Sequence, residues 1–166
     1  MVTPPDRASN RMWINIPQKY SNPARLKKQF ANSRMPGIYF HIPFCKQACH
    51  YCDFHFSTDR RGHEEMVTAM VHELELQQSF LSGPVETVYF GGGTPSILTS
   101  NQLGKVIETA RSRFDILPDA EITLEANPDD LSRNKLQELR HLGVNRLSIG
   151  IQSFRNEVLA FLHRAH

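Results

Sequence analysis

No stretch of about 18 consecutive apolar residues occurs anywhere in this chain, which excludes a transmembrane helix. The opening Met1-Val2-Thr3-Pro4-Pro5-Asp6-Arg7 lacks the apolar segment of a secretory signal. Cysteine is scarce: there are three, an odd number confined to positions 45–52, so the paired framework of a secreted disulfide protein is not expected. Apolar residues at 40% and charged residues at 22% are incompatible with a disordered or fibrous chain. At 166 residues the chain can bury one substantial core but not two large ones. These absences leave a soluble, cytoplasmic domain carrying a metal or redox cluster.

The net charge of +2 conceals an asymmetry. Residues 1–36 hold seven basic side chains against the single acid Asp6, a net of +6, which leaves twelve basic and sixteen acidic residues, or −4, for the rest. No basic stripe persists beyond position 36, so the main domain is not expected to bind nucleic acid. The leader 1–36 reads as a basic, loosely ordered extension, and its apolar residues are too scattered for a helix.

From Gly37 onward, short strand patterns alternate with helical ones. Strands are predicted at 37–42, 86–90, 121–126 and 146–152, each rich in Ile, Val, Leu or aromatic residues, as strands buried on both faces are. Met66, Met70, Val71 and Leu74 repeat at helical spacing. Thr99-Ser100-Asn101-Gln102 reads as a capping box before Leu103, Val106, Ile107 and Ala110. Leu136, Leu139 and Leu142 form a third stripe with Gly143 placed to cap it, and 155–163 begins a fourth helix. Strand–helix–strand repetition gives an α/β architecture with parallel strands and right-handed crossovers. Four units fit either a doubly wound sheet or the first half of a barrel, because a closed eight-unit barrel needs about 250 residues. We read 37–166 as the N-terminal part of a longer barrel-type domain.

The densest chemical signal is Cys45-Lys46-Gln47-Ala48-Cys49-His50-Tyr51-Cys52, directly after the first strand. Three thiolates within eight residues can surround one metal centre, and thiolates suit both zinc and iron–sulfur clusters. A structural zinc site wants four closed ligands, and His50 or His55 is available as the fourth. A [4Fe–4S] cluster on three cysteines instead leaves one iron open to a small molecule. His41, on the strand face opposite Phe40, is as readily a packed residue as a ligand, and Asp129-Asp130 reads as a turn rather than a metal pair.

This cysteine array, with an aromatic residue before its last member, resembles the signature of the radical S-adenosylmethionine (SAM) superfamily. Tyr39-Phe40-His41-Ile42-Pro43-Phe44-Cys45 together with Gly91-Gly92-Gly93-Thr94-Pro95 is similar to the oxygen-independent coproporphyrinogen III oxidase family and its heme-chaperone (HemW-type) branch. The resemblance implies four parallel strands with helices from a partial (β/α) TIM-like radical SAM barrel over 37–166. It implies a [4Fe–4S] cluster on Cys45, Cys49 and Cys52, chelating SAM at its open iron. It also assigns SAM contacts to Tyr39, Tyr51, Gly92, Gly93, Thr94, Glu125, Gln152 and Arg164.

The true oxidase of that family carries a fourth cysteine two residues after the third; Phe54 stands there in this chain. The departure favours the heme-chaperone branch, with heme or another porphyrin as cargo and heme-acceptor proteins as partners. An oxidase converting coproporphyrinogen III to protoporphyrinogen IX, and a zinc-stabilised interaction domain, are the competing functions, so enzyme activity stays open.

Overall fold

In the computed structural model, which describes residues 36–164, the pleat of the first strand divides the molecule into two sides. β1 (Gly37–Ile42) turns Phe40 and Ile42 into the core and leaves Tyr39 and His41 exposed on the opposite face, the period of two that a strand imposes. β2 (Val85–Gly92), β3 (Ile116–Ala126) and β4 (Arg146–Ile149) continue that division. Val88, Phe90, Ile122 and Leu124 join Phe40 and Ile42 on the core side.

Those strands pair in parallel in the order β1-β2-β3-β4. A doubly wound sheet reverses its strand order at a switch point; this one runs strictly in sequence. Its core is completed from one side by Val67, Met70 and Leu74 of α1 (His63–Leu76), Leu103, Val106 and Ile107 of α2 (Ser100–Arg113) and Leu139 of α3 (Arg133–His141). One helical layer over a sequentially ordered parallel sheet is an arc of a barrel wall. The uncovered face corresponds to the barrel interior.

Local chemistry accounts for the element ends. Thr99 accepts from the Gln102 amide and the Gln102 side chain accepts from the Thr99 amide, so the expected capping box is formed. After α3, Gly143 takes φ +93° while its amide bonds Arg140 and the Val144 amide bonds Leu139, the paired closure that requires a left-handed residue at that position. β3 begins at Ile116, earlier than the expected Glu121, because Val85 pairs with Ile116 across a register shift. Pro118 lacks a donor for a regular ladder there, which hides this half of the strand from pattern reading. β4 ends at Ile149, and Gln152, expected within it, adopts φ +64° in the loop beyond. A short α4 (Asn156–Phe161) follows. Apart from Pro36, the basic leader 1–36 lies outside the described residues, and among those described no helix is long and apolar enough to cross a membrane.

Phe90 is fully buried, its ring stacked on Phe40 with centroids 4.7 Å apart. Phe90→Ala is expected to cost about 3–5 kcal/mol and Thr99→Ala about 1 kcal/mol in equilibrium urea unfolding. Equal losses for the two would contradict this placement of the core.

Candidate cofactor site

The loop that follows β1 is held against the end of β2 by two backbone hydrogen bonds. Gly93 donates its amide to the Ile42 carbonyl at 2.8 Å and Thr94 donates to the Phe44 carbonyl at 2.7 Å. On the other flank, Cys45 donates to Ser57 and Ser57 to Pro43, at 3.0 and 2.7 Å. A methyl group on Gly93 would lie 2.6 Å from the Phe44 oxygen and 3.0 Å from Cys45 Sγ. Only glycine permits this approach, so the Gly91-Gly92-Gly93 run is what brings the first cysteine onto the sheet.

A cleft of about 280 Å3 opens at the C-terminal ends of the strands, where parallel α/β folds place their sites. Cys45, Cys49 and Cys52, all half-buried free thiols, line it together with Tyr51, Gly92, Gly93, Thr94, Glu125, Gln152 and Arg164. Ten of the eleven residues singled out from the sequence therefore meet at one place. Tyr39 is the exception: it stands on the uncovered sheet face, 57% exposed, and is not part of the cleft wall. Phe54, at the position of the oxidase's fourth cysteine, is 77% exposed at the cleft margin.

The polar groups of the wall are organised. Glu125 accepts from Tyr89 Oη at 2.7 Å and from the Gly92 amide at 3.2 Å, which satisfies a carboxylate that an apolar strand would otherwise strand. Arg164 ties three elements together: Nη2 donates to Asn127 Oδ1 at 2.6 Å and to the Gly150 carbonyl at 2.9 Å, while Nη1 donates to Tyr51 Oη at 3.1 Å and reaches Cys49 Sγ at 3.4 Å. Its Nε is buried without a hydrogen-bond partner among the described residues.

The family model described as Radical SAM superfamily matches residues 39–166. The chain belongs to the radical SAM superfamily. Relatives of this radical SAM chain include Heme chaperone HemW of Escherichia coli K12, 39% identical over 132 residues that cover 78% of this chain and 35% of the relative. HemW of Mycobacterium tuberculosis CDC 1551 / Oshkosh is 40% identical over 135 residues, covering 78% and 35%. Anaerobilin synthase of E. coli O157:H7 is 37% identical over 136 residues, covering 78% and 30%. Among solved structures, the radical SAM enzyme coproporphyrinogen III oxidase of E. coli superposes with a TM-score of 0.80 at 30% identity, over 89% of this chain and 35% of that one. The chain thus spans about a third of the length of these relatives.

The donor set suits the cluster of a radical SAM protein. Cys45, Cys49 and Cys52 line one cleft as free thiols, and thiolates are the usual protein donors of an iron–sulfur cluster. Histidine does not line the cleft. His50, available from sequence as a fourth ligand, has Nδ1 2.9 Å from the Phe161 carbonyl and its ring stacked on His163; His55 is exposed. Burial pushes the Cys45 thiol above its usual range, the Thr94 hydroxyl opposing and the Cys52 and Cys49 thiols reinforcing that shift. Burial thus opposes loss of the Cys45 proton, and a bound cation at the sulfur would offset that cost.

Sequence reading missed the side chains that anchor the loop. Lys46 pairs with Asp129 at 2.7 Å and with Asp130, and Asp130 accepts from Ser96 at 2.5 Å. Asp129-Asp130, read from the sequence as a turn, lies in a short 3-10 segment and is thus the counter-charge for the cysteine loop. Asn127 is the second omission. A lone lysine among cysteines and an Asn-Pro turn carry no pairing signal without coordinates.

Gly93→Ala is expected to displace the Phe44 carbonyl and Cys45, so that anaerobically reconstituted protein loses most of its iron. Lys46→Met is expected to retain iron and lower stability by about 1–3 kcal/mol. Iron analysis beside urea unfolding checks both, and full iron content in Gly93→Ala would refute the close-approach argument.

Proposed function

We propose that this chain is the cofactor-binding part of a heme chaperone of the radical SAM superfamily, carrying a [4Fe–4S] cluster on Cys45, Cys49 and Cys52. One observation carries the reading: three thiols and an orphaned buried arginine donor share a single cleft. The residues of that cleft would hold SAM, and a cluster on the three cysteines would supply the electron that reduces its sulfonium. The rest is the work of the chain. Gly92, Gly93 and Thr94 bring backbone close to the ligand, with the methionine amino group as its partner. Glu125, oriented by Tyr89 and Gly92, presents its carboxylate to the ribose hydroxyls. Arg164 Nε offers its unused donor to the methionine carboxylate, and charge-assisted bonds of this kind are strong. Tyr51 and Gln152 would contact the adenosine, and Tyr51, between two of the cysteines, would shield a cluster, which tunes its potential.

The chaperone branch is supported by Phe54 in place of a fourth cysteine and by the HemW names of the relatives. Its cargo is heme or a related porphyrin, and its partners are heme-acceptor proteins. A cytoplasmic location accompanies this reading, because reduced thiols persist there.

Anaerobic reconstitution followed by EPR of the reduced cluster, with and without SAM, tests the cofactor assignment. The expected outcome is a cluster signal that SAM changes; zinc without iron, or a signal indifferent to SAM, overturns it. For the full-length protein, heme binding with coproporphyrinogen III left unchanged is expected, and conversion to protoporphyrinogen IX would establish the oxidase reading instead.

A further inference from the structure

Arg164 touches a cysteine sulfur as well as the cleft, and the backbone before it is bent to deliver it there. At the end of α4 the Arg164 amide donates to the Leu159 carbonyl and the His163 amide to the Ala160 carbonyl, the paired closure that sets a left-handed residue after a helix. Here that residue is His163, φ +55°, where glycine is the usual occupant. Such a backbone costs energy unless its surroundings hold it. His163 Nδ1 lies 2.7 Å from the Ala48 carbonyl, and its ring stacks on His50 with centroids 5.0 Å apart. The turn sends Arg164 back toward the cysteine loop.

A guanidinium carries five N–H donors in one fixed plane. Four are committed: Nη2 to Asn127 Oδ1 and the Gly150 carbonyl, Nη1 to Tyr51 Oη and Cys49 Sγ. Asn127 is itself anchored, because its amide donates to Ser96 Oγ at 3.3 Å and Ser96 donates to Asp130 at 2.5 Å. Asp130 in turn pairs with Lys46 at the start of the cysteine loop. Cys45 receives a neutral donor, the Thr94 hydroxyl at 3.5 Å, whereas the guanidinium donor at Cys49, 3.4 Å away, is a cation.

We propose that Arg164 raises the reduction potential of a cluster held by this loop, through its charged hydrogen bond to Cys49 Sγ, and that Asn127 is the positioning residue that aims it. The inference rests on the cluster reading of the cleft and gives Arg164 a role besides contact with SAM. Passage from [4Fe–4S]2+ to [4Fe–4S]+ takes up one electron, and the added negative charge is shared with the thiolate sulfurs. A cationic donor on one of those sulfurs favours the reduced form over the oxidised one. Charge-assisted bonds are roughly twice as strong as neutral ones, and the half-burial of both partners limits screening by salt. Simple loosening of the loop acts with the opposite sign, since water admitted to the cluster favours the more highly charged, reduced form. The direction of the change therefore separates tuning by Arg164 from loss of packing.

The test poises the full-length, cluster-reconstituted protein with dithionite and mediator dyes, without SAM, and reads the reduced cluster by EPR beside iron content. Arg164→Gln is expected to lower the potential: where the unmodified protein is half reduced, its ratio of reduced to oxidised cluster falls by about fivefold or more. Arg164→Lys should fall between the two, because an ammonium keeps the charge without the planar fork. It decides the same point should Arg164→Gln hold too little iron to read. Asn127→Leu keeps the guanidinium but removes its anchor, and a smaller fall in the same ratio is expected. An unchanged or raised ratio in the Arg164 variants overturns the tuning role, and the same result in Asn127→Leu overturns the positioning role. Either failure leaves the cofactor reading intact if SAM still alters the cluster signal of the unmodified protein. Unmodified protein that assembles no cluster removes both.

Discussion

Everything at the cofactor end of this domain depends on the missing side chain of Gly93. Two backbone bonds lock the segment after β1 onto the glycine turn of β2, and they form only because the Phe44 carbonyl and Cys45 Sγ occupy the volume that a Cβ would fill. From that contact the rest follows in order. Cys45 is placed beside the Thr94 hydroxyl, the loop is aimed across the strand ends, and the other two thiols come round to the same cleft. A parallel sheet exposes its carbonyl ends at this edge, so the site inherits its position from topology and its geometry from one absent methyl.

The loop is secured on its far side by residues distant in sequence. Gln47 donates to the His163 carbonyl, His50 packs on His163 and bonds Phe161, and His163 Nδ1 lies 2.7 Å from the Ala48 carbonyl. Lys46 faces the acidic turn after β3. Polar contacts of this kind contribute modestly one by one, but they oppose motion in different directions and so define one conformation. Both ends of the loop are thereby fixed while the sulfurs stay reachable from the cleft.

Much of this was legible before coordinates. The cores of the four strands announce themselves as short apolar runs, and the Thr99–Gln102 box is written in residue types whose chemistry is local. Strand order was not legible, because hydrophobic runs do not say which neighbour a strand takes; the sequential order settles the barrel arc. Pro118 disguised the first half of β3, and the turn of the chain at Gln152 shortened β4. The site set came from motif resemblance rather than periodicity. Tyr39, six residues before Cys45, belongs to the same motif and stands on the sheet face that also carries Glu125, with His41 and Tyr89 as its partners. Asn127 and Lys46 act through partners 37 and 83 positions away, a relation that no local pattern records.

The tie between the cysteine loop and the segment 161–164 has a consequence for biosynthesis. Its contacts join residues 111 to 116 positions apart. On the ribosome, all three sulfurs emerge long before their clasp has been translated. The nascent thiols pass through an interval unsheltered, which ends when the segment after the fourth helix folds back over the first loop.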